Sequence, residues 1–335
     1  MSVLIGACLW GEPPDSALAR RIWAEYQAWL PASDLAQPEL LREHLKLSLE
    51  ARKAFGWAKE VPEDVFVRYV AWPRVSQEPL EPWRRAFVDS LRPVVESLSS
   101  LERVALEVNR WCDERIDYKP TQRRDQGPLE TWRSGFGRCE EMTIFYISAA
   151  RSVGVPAREA YTPWWPFTES NHAWTEVWTP EGWKYLGSCE FCDSLNCAWF
   201  SDPVKRAAIV LAVAPGRVDG DSVYRRGVDF SLINVTKRYR KTGVLKVKLT
   251  RGGEPASGKE VFVYVFNWGA LRPVARLITD ERGEASLEMG LGDYFISWGK
   301  GGLAKVSVKE GVSEYEFDLD EKSKPLGETW LRYPR

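Results

Sequence analysis

Histidine is nearly absent: two occur in 335 residues. Imidazole is the commonest metal ligand and the side chain that changes charge near neutral pH. A histidine-rich metal centre is therefore excluded, and any imidazole base must be His44 or His172. An excess of charge of either sign is also missing. The 46 Lys and Arg against 47 Asp and Glu leave a net charge of −1, without the basic footprint that nucleic-acid binding leaves. No apolar run reaches the roughly 18 residues that span a bilayer. Asn and Gln total ten while 28% of residues are charged, a balance that fits a thermophilic source. What remains is a chain long enough for two or three domains with separate cores.

Six cysteines are present. Cys8, Cys112 and Cys139 are scattered, whereas Cys189, Cys192 and Cys197 cluster. A structural zinc site usually shows two C-x2-C pairs or a pair with histidines, so the cluster is read as buried free thiols, with a disulfide or a zinc site as alternatives. No metal and no cofactor is expected. The first ten residues lack a basic leader and are too short for a full signal peptide. Ile5-Gly6-Ala7-Cys8 nevertheless has the form of a lipoprotein signal end, so Cys8 would be a lipid anchor if translation began upstream. As the chain stands, a cytoplasmic location is expected.

Apolar spacing predicts helices over 15–30, from Pro38 to about 56, and in a long stretch interrupted near Pro93 that resumes over 100–115. Segment 57–80 reads as an irregular connector and 116–136 as a loop. Cys139 opens a helix to about 153 that is apolar nearly all round, the pattern of a buried central helix. Strands follow at 157–162, 173–179, 182–186 and 207–214. From about 242 the texture changes to six or seven short strands with Gly-rich turns, a β-sandwich. The expected organisation is a helical region over 1–100, a catalytic core over 101–238 and a sandwich over 239–325.

Cys139 and His172 carry the chemistry. A thiol is a poor nucleophile near neutral pH unless its anion is favoured, and a helix N-terminus supplies N–H groups and dipole for that purpose. An imidazole in reach completes a nucleophile with its base. His172 opens a strand whose alternation sets His172, Trp174, Glu176 and Trp178 on one face. His44, within a Leu- and Arg-rich helix, is read as structural.

Gly-Arg-Cys at 137–139, Val-Gly-Val-Pro-Ala-Arg at 153–158, and His-Ala-Trp-Thr-Glu-Val at 172–177 with Gly-Trp at 182–183 together resemble the transglutaminase-like superfamily. The resemblance covers about 115–190. It implies an α+β, papain-like transglutaminase core, here with a helical N-terminal region and a C-terminal antiparallel sandwich of the carboxypeptidase-regulatory or prealbumin-like type. It also implies a Cys-His-Asp triad, with Cys139 as nucleophile and His172 as base and acid. The family's Asp four residues after the strand tryptophan is replaced by Gly187, so Glu190 is the expected orienting carboxylate, with Glu176 and Asn171 as alternatives. The oxyanion hole would use the Cys139 N–H and one donor from Tyr118, Gln122, Trp111 or Trp132. Arg138 is read as structural or substrate-contacting, and Glu140 and Glu141 as partners of the helix dipole.

The expected activity is thiol-dependent acyl transfer on amide bonds of a peptide or protein substrate, as a peptidase or amidase working through a thioester. Cross-linking by transamidation is one alternative and a non-catalytic binding protein that keeps the fold is the other. The terminal sandwich, which lacks histidine and cysteine, is expected to act as a spacer or docking module. Oligomeric state is left open.

Overall fold

A computed structural model describes residues 16–121, 124–220 and 222–320. The lipid-anchor call on Cys8 and the oxyanion call on Gln122 lie outside the described residues. The described chain divides into two compact units, one of residues up to 160 with 173–198 and 213–232, the other of 161–172, 199–212 and 233 onward.

In the first unit the helices follow the apolar spacing. Ala17–Trp29 is capped by Ser16, whose Oγ accepts the Ala19 N–H at 3.1 Å, and it buries Ile22, Trp23 and Tyr26. Pro38–Ala54 begins with proline, whose missing N–H costs nothing at a first helical position. Trp83–Val95, Leu101–Asp113 and Cys139–Ser152 supply Phe87, Trp111 and Phe145. With Trp132 these rings form a cluster with centroids 4.8 to 6.0 Å apart. Pro93 sits in the last turn of Trp83–Val95, so the helix ends two residues after it rather than before.

Two segments read as irregular contain structure. Residues 57–80 include a helical turn at Glu63–Phe66 that widens into a π-helical turn at Val67–Ala71. Carbonyls near that turn are met by two buried arginines. Arg84 donates to Val70, Ala71 and Trp72, and Arg151 to Tyr69, Trp72 and Arg74. Such partners explain a wide turn that sequence periodicity does not signal. Burial lowers both guanidinium pKa values, to about 10 and about 9. Within 116–136, Pro128–Ser134 is helical, and Asp117–Tyr118 pairs in parallel with Phe136–Gly137.

A six-stranded sheet has the order 182–186, 172–179, 157–162, 211–215, 230–234, 223–226. Its last two strands were not evident from alternation. His172–Thr179 and Gly182–Leu186 form an antiparallel hairpin. In the second unit, two four-stranded sheets make the expected sandwich. One contains Thr242–Arg251, Glu254–Pro255, Glu284–Gly290 and Val312–Asp318, with the pairing of 242–251 to 312–318 parallel. The other has the order Ala270–Ile278, Glu260–Asn267, Gly292–Trp298, Gly302–Val308, all antiparallel. Leu245, Val247 and Leu249 alternate with partly exposed residues and bury one face, as strand geometry requires. No helix of the described residues is long and apolar enough to cross a membrane.

Candidate active site

Cys139 is the first residue of the Cys139–Ser152 helix, as its position after Gly-Arg predicts. Glu141 fastens that end. Its buried carboxylate accepts the Arg138 N–H at 3.0 Å, the Gln126 N–H at 3.1 Å and the Thr121 hydroxyl at 2.7 Å. Glu141 therefore fixes the backbone before the cysteine rather than acting as a dipole partner alone. Glu140 has a more direct role: the Cys139 thiol donates to its Oε2 at 3.2 Å. The same oxygen lies 3.3 Å from Arg138 Nε, and Arg138 also pairs with Asp125.

These surroundings act against the thiolate. Burial first, and the Glu140 carboxylate second, push the thiol up to about 12, while the Ala173 N–H bound to the sulfur acts in the opposite direction. Removal from water and an adjacent anion outweigh the helix end. The Ala173 contact also locates the strand. The amide joining His172 to Ala173 supplies a donor to the Cys139 sulfur.

The turn after the hairpin carries Glu190. A Cβ placed on Gly187 would lie 2.5 Å from Glu190 Oε2 and 3.0 Å from its Cβ. The glutamate side chain thus occupies the space that a side chain at position 187 would enter. Asn109, buried on the Leu101–Asp113 helix, clamps this turn. Its Nδ2 donates to the carbonyls of Gly187 at 2.9 Å and Glu190 at 3.0 Å, and its Oδ1 accepts the Cys189 N–H at 2.9 Å. Ser188 lies 3.0 Å from the Thr143 hydroxyl and 2.8 Å from that of Thr175. One turn is thereby tied to the Cys139 helix and to the His172 strand.

His172 opens its strand as expected and is buried. Its ring packs against Trp165, Trp199 and Phe200, with centroids at 6.3, 4.7 and 5.0 Å. Glu176 is four residues along the strand, about 13 Å at 3.3 Å per residue. Its Oε2 receives Arg158 Nε at 2.8 Å and Nη2 at 2.6 Å. That carboxylate serves a buried ion pair with Arg158, whose guanidinium also lies over the Trp183 ring at 3.9 Å. Asn171 is exposed.

Among the oxyanion candidates, Trp111 and Trp132 belong to the aromatic cluster described above, which identifies them as core. Tyr118 is exposed and pairs with Gly137, two residues before Cys139. His44 is structural: Arg84 Nε donates to its Nδ1 at 3.2 Å, so its Nε2, 2.9 Å from the Glu81 carbonyl, carries the proton. Burial holds its pKa well below the usual value.

The clustered cysteines correct the sequence reading in part. Cys192 and Cys197 form a disulfide, while Cys189 is a buried free thiol that donates to the Met142 carbonyl at 3.4 Å. A C-x4-C spacing does not distinguish the two states. No group of three metal-ligating side chains occurs among the described residues.

Asn109, Trp199 and Phe200 were missed, and the contact of Glu140 with the thiol was not foreseen. Asn109 had a signal, since it is the polar member of an otherwise apolar helix face. Glu140 had only its adjacency to Cys139. Trp199 and Phe200 reach His172 from 27 and 28 positions downstream, with no local signal.

A family model described as the transglutaminase-like superfamily matches residues 90–186. No curated protein matches. Among solved structures, a DUF3823 family protein of Parabacteroides merdae is 15% identical over 23% of this chain with a TM-score of 0.20, and the chain spans 45% of that protein. A proposed cysteine protease of Cytophaga hutchinsonii is 12% identical, covering 55% of this chain and 68% of its own, with a TM-score of 0.32. LapG of Legionella pneumophila is 20% identical, covering 44% and 71%, with a TM-score of 0.26.

Proposed function

We propose, on the match of residues 90–186 to the transglutaminase-like superfamily model, that this chain is a cysteine-dependent peptidase or amidase. The observation that carries this is the setting of Cys139, at a helix start, with the Ala173 amide that follows His172 donating to its sulfur.

Burial and the adjacent Glu140 carboxylate push the Cys139 thiol pKa up, which favours the protonated thiol. On this reading His172 acts as a general base. It takes the thiol proton as sulfur attacks the amide carbonyl carbon. Donors including the Cys139 N–H stabilise the oxyanion. On collapse the C–N bond breaks and His172 returns the proton to the departing nitrogen, leaving an amine and a thioester. Water then attacks the thioester carbonyl, and the proton passes through His172 to sulfur, releasing the carboxylic acid. Glu190, occupying the space beside Gly187, takes the orienting part that the family assigns to Asp. An amine in place of water gives the cross-linking variant.

Gly187, standing where the family carries Asp, favours a second reading, a binding protein that has kept the fold. A peptidyl electrophile separates the two. Stoichiometric labelling of Cys139, abolished in His172→Ala, is expected of the enzyme. Labelling no faster than at buried Cys112 would exclude it. The Cys192–Cys197 disulfide favours an oxidising compartment, or a hyperthermophile's interior, over an ordinary cytosol.

A further inference from the structure

The nine residues 163–171 that lead into His172 group with the sandwich unit. This loop closes on itself through the Trp165 N–H to the Ser170 carbonyl at 2.9 Å and the Ser170 N–H to the Thr168 carbonyl at 2.8 Å. The Trp165 and Thr168 carbonyls are then met from the sandwich. Asn267, 3% exposed at the end of Glu260–Asn267, donates Nδ2 to the Trp165 carbonyl at 2.7 Å and also to that of Thr168. Arg272 on the next strand pairs with Glu169 and lies over the Trp164 ring at 4.9 Å. Arg206 lies over Phe167 at 4.3 Å.

The Asn267 anchor sits on a hairpin turn of unusual composition. Asn267 pairs with Ala270 across Trp268 and Gly269, which have φ values of 47° and 75°. Two successive left-handed residues make the turn that fits strand twist, but its first position favours Asn, Asp or Gly. A bulky residue there is disfavoured and marks a conformation that its surroundings impose. The clamped loop in turn presents Trp165, whose ring stacks on the His172 imidazole.

We infer that Asn267 is a positioning residue for His172, so that the C-terminal sandwich is part of the apparatus that aims the imidazole and not a spacer. The coupling runs from the Asn267 amide to the Trp165 backbone, and from the Trp165 ring to His172. The catalytic meaning of this coupling rests on the reading of His172 as the base, whereas the coupling itself can be observed without activity.

The scarcity of histidine makes the test clean. In the full-length protein labelled with ¹³C,¹⁵N-histidine, only His44 and His172 contribute ring signals. Asn267→Asp keeps the shape but turns oxygens toward two carbonyls, and Asn267→Ala removes the amide. Both are expected to shift and broaden the His172 signals, leave those of His44 in place, and slow Cys139 acylation by about tenfold or more. Val263→Ala, a sandwich-core control, lowers stability and should leave the His172 signals unmoved. Unmoved signals in folded Asn267 variants, or equal movement in Val263→Ala, would overturn the inference. Should the Asn267 variants fail to fold, Arg272→Ala, which releases the same loop from its exposed side, must move the same signals, and unmoved signals overturn the inference there too. If instead wild type and His172→Ala acylate equally, the catalytic reading fails while the ring signals still decide the coupling.

Discussion

Moving the carboxylate from position 190 to position 187 offers a stringent test of how the imidazole is oriented. Glu190→Ala removes the proposed orienting group. Loss of such a group typically costs about 10²- to 10⁴-fold in acylation, or about 3–5 kcal/mol of transition-state stabilisation. Gly187→Asp alone puts a Cβ 2.5 Å from Glu190 Oε2, so the flexible glutamate must swing aside and two carboxylates of like charge crowd one site. Together the two changes relieve the overlap, and one carboxyl group on residue 187 reaches the space that Glu190 vacates. The double variant should therefore recover most of the acylation rate and exceed Gly187→Asp in stability. Acylation by an activated ester and guanidinium midpoints, measured on all four proteins, complete the cycle. Full activity in Glu190→Ala, or a stable double variant no faster than Glu190→Ala, would refute this assignment.

Three further changes probe the surroundings. Glu140→Gln removes an anion 3.2 Å from sulfur. Because that carboxylate is a quarter exposed and shared with Arg138, the thiol pKa should fall by about one unit. Tenfold more thiolate, offset by weaker nucleophilicity, gives about threefold faster alkylation of Cys139, read by peptide mass spectrometry; slower alkylation contradicts it. Burial first, and Glu140 next, raise the Glu159 carboxyl to about 8 from 4.5. Its folded pKa is the higher, so its contribution is fully present below pH 4.5 and is lost as pH rises through 8. Glu159→Gln should abolish a decline of a few kcal/mol between those values, seen as guanidinium midpoints at pH 5 and 8.5 that draw together. Asn109→Ala, which leaves two carbonyls and one N–H of the 187–190 turn unmet, should destabilise by about 2–4 kcal/mol; a midpoint within error of wild type would deny the clamp.

What could be read in advance followed from local physics. Helical spacing gave the buried Cys139 helix, and alternation gave the His172 hairpin and the sandwich strands. The candidate nucleophile and base stood out because cysteine at a helix start and one of two histidines at a strand start are rare. The remainder depends on contacts distant in sequence. The ionisation of Cys139 turned on burial, which a helix start does not disclose. The place of Glu190 beside Gly187 depends on Asn109, some 80 positions away. The hold of Asn267 on the loop before His172 joins residues about 100 apart. Side-chain amides meeting loop carbonyls leave no periodic trace in a sequence.

The central claim is that Cys139 forms a thioester with His172 as its base. A p-nitrophenyl ester, mixed rapidly with the full-length protein and followed by intact mass, tests it most directly. The account predicts a burst of one nitrophenolate per chain, one acyl group on Cys139, no burst in Cys139→Ala, and acylation in His172→Ala slowed by at least about 10². Absence of a burst, or acylation of His172→Ala at the wild-type rate, would contradict it.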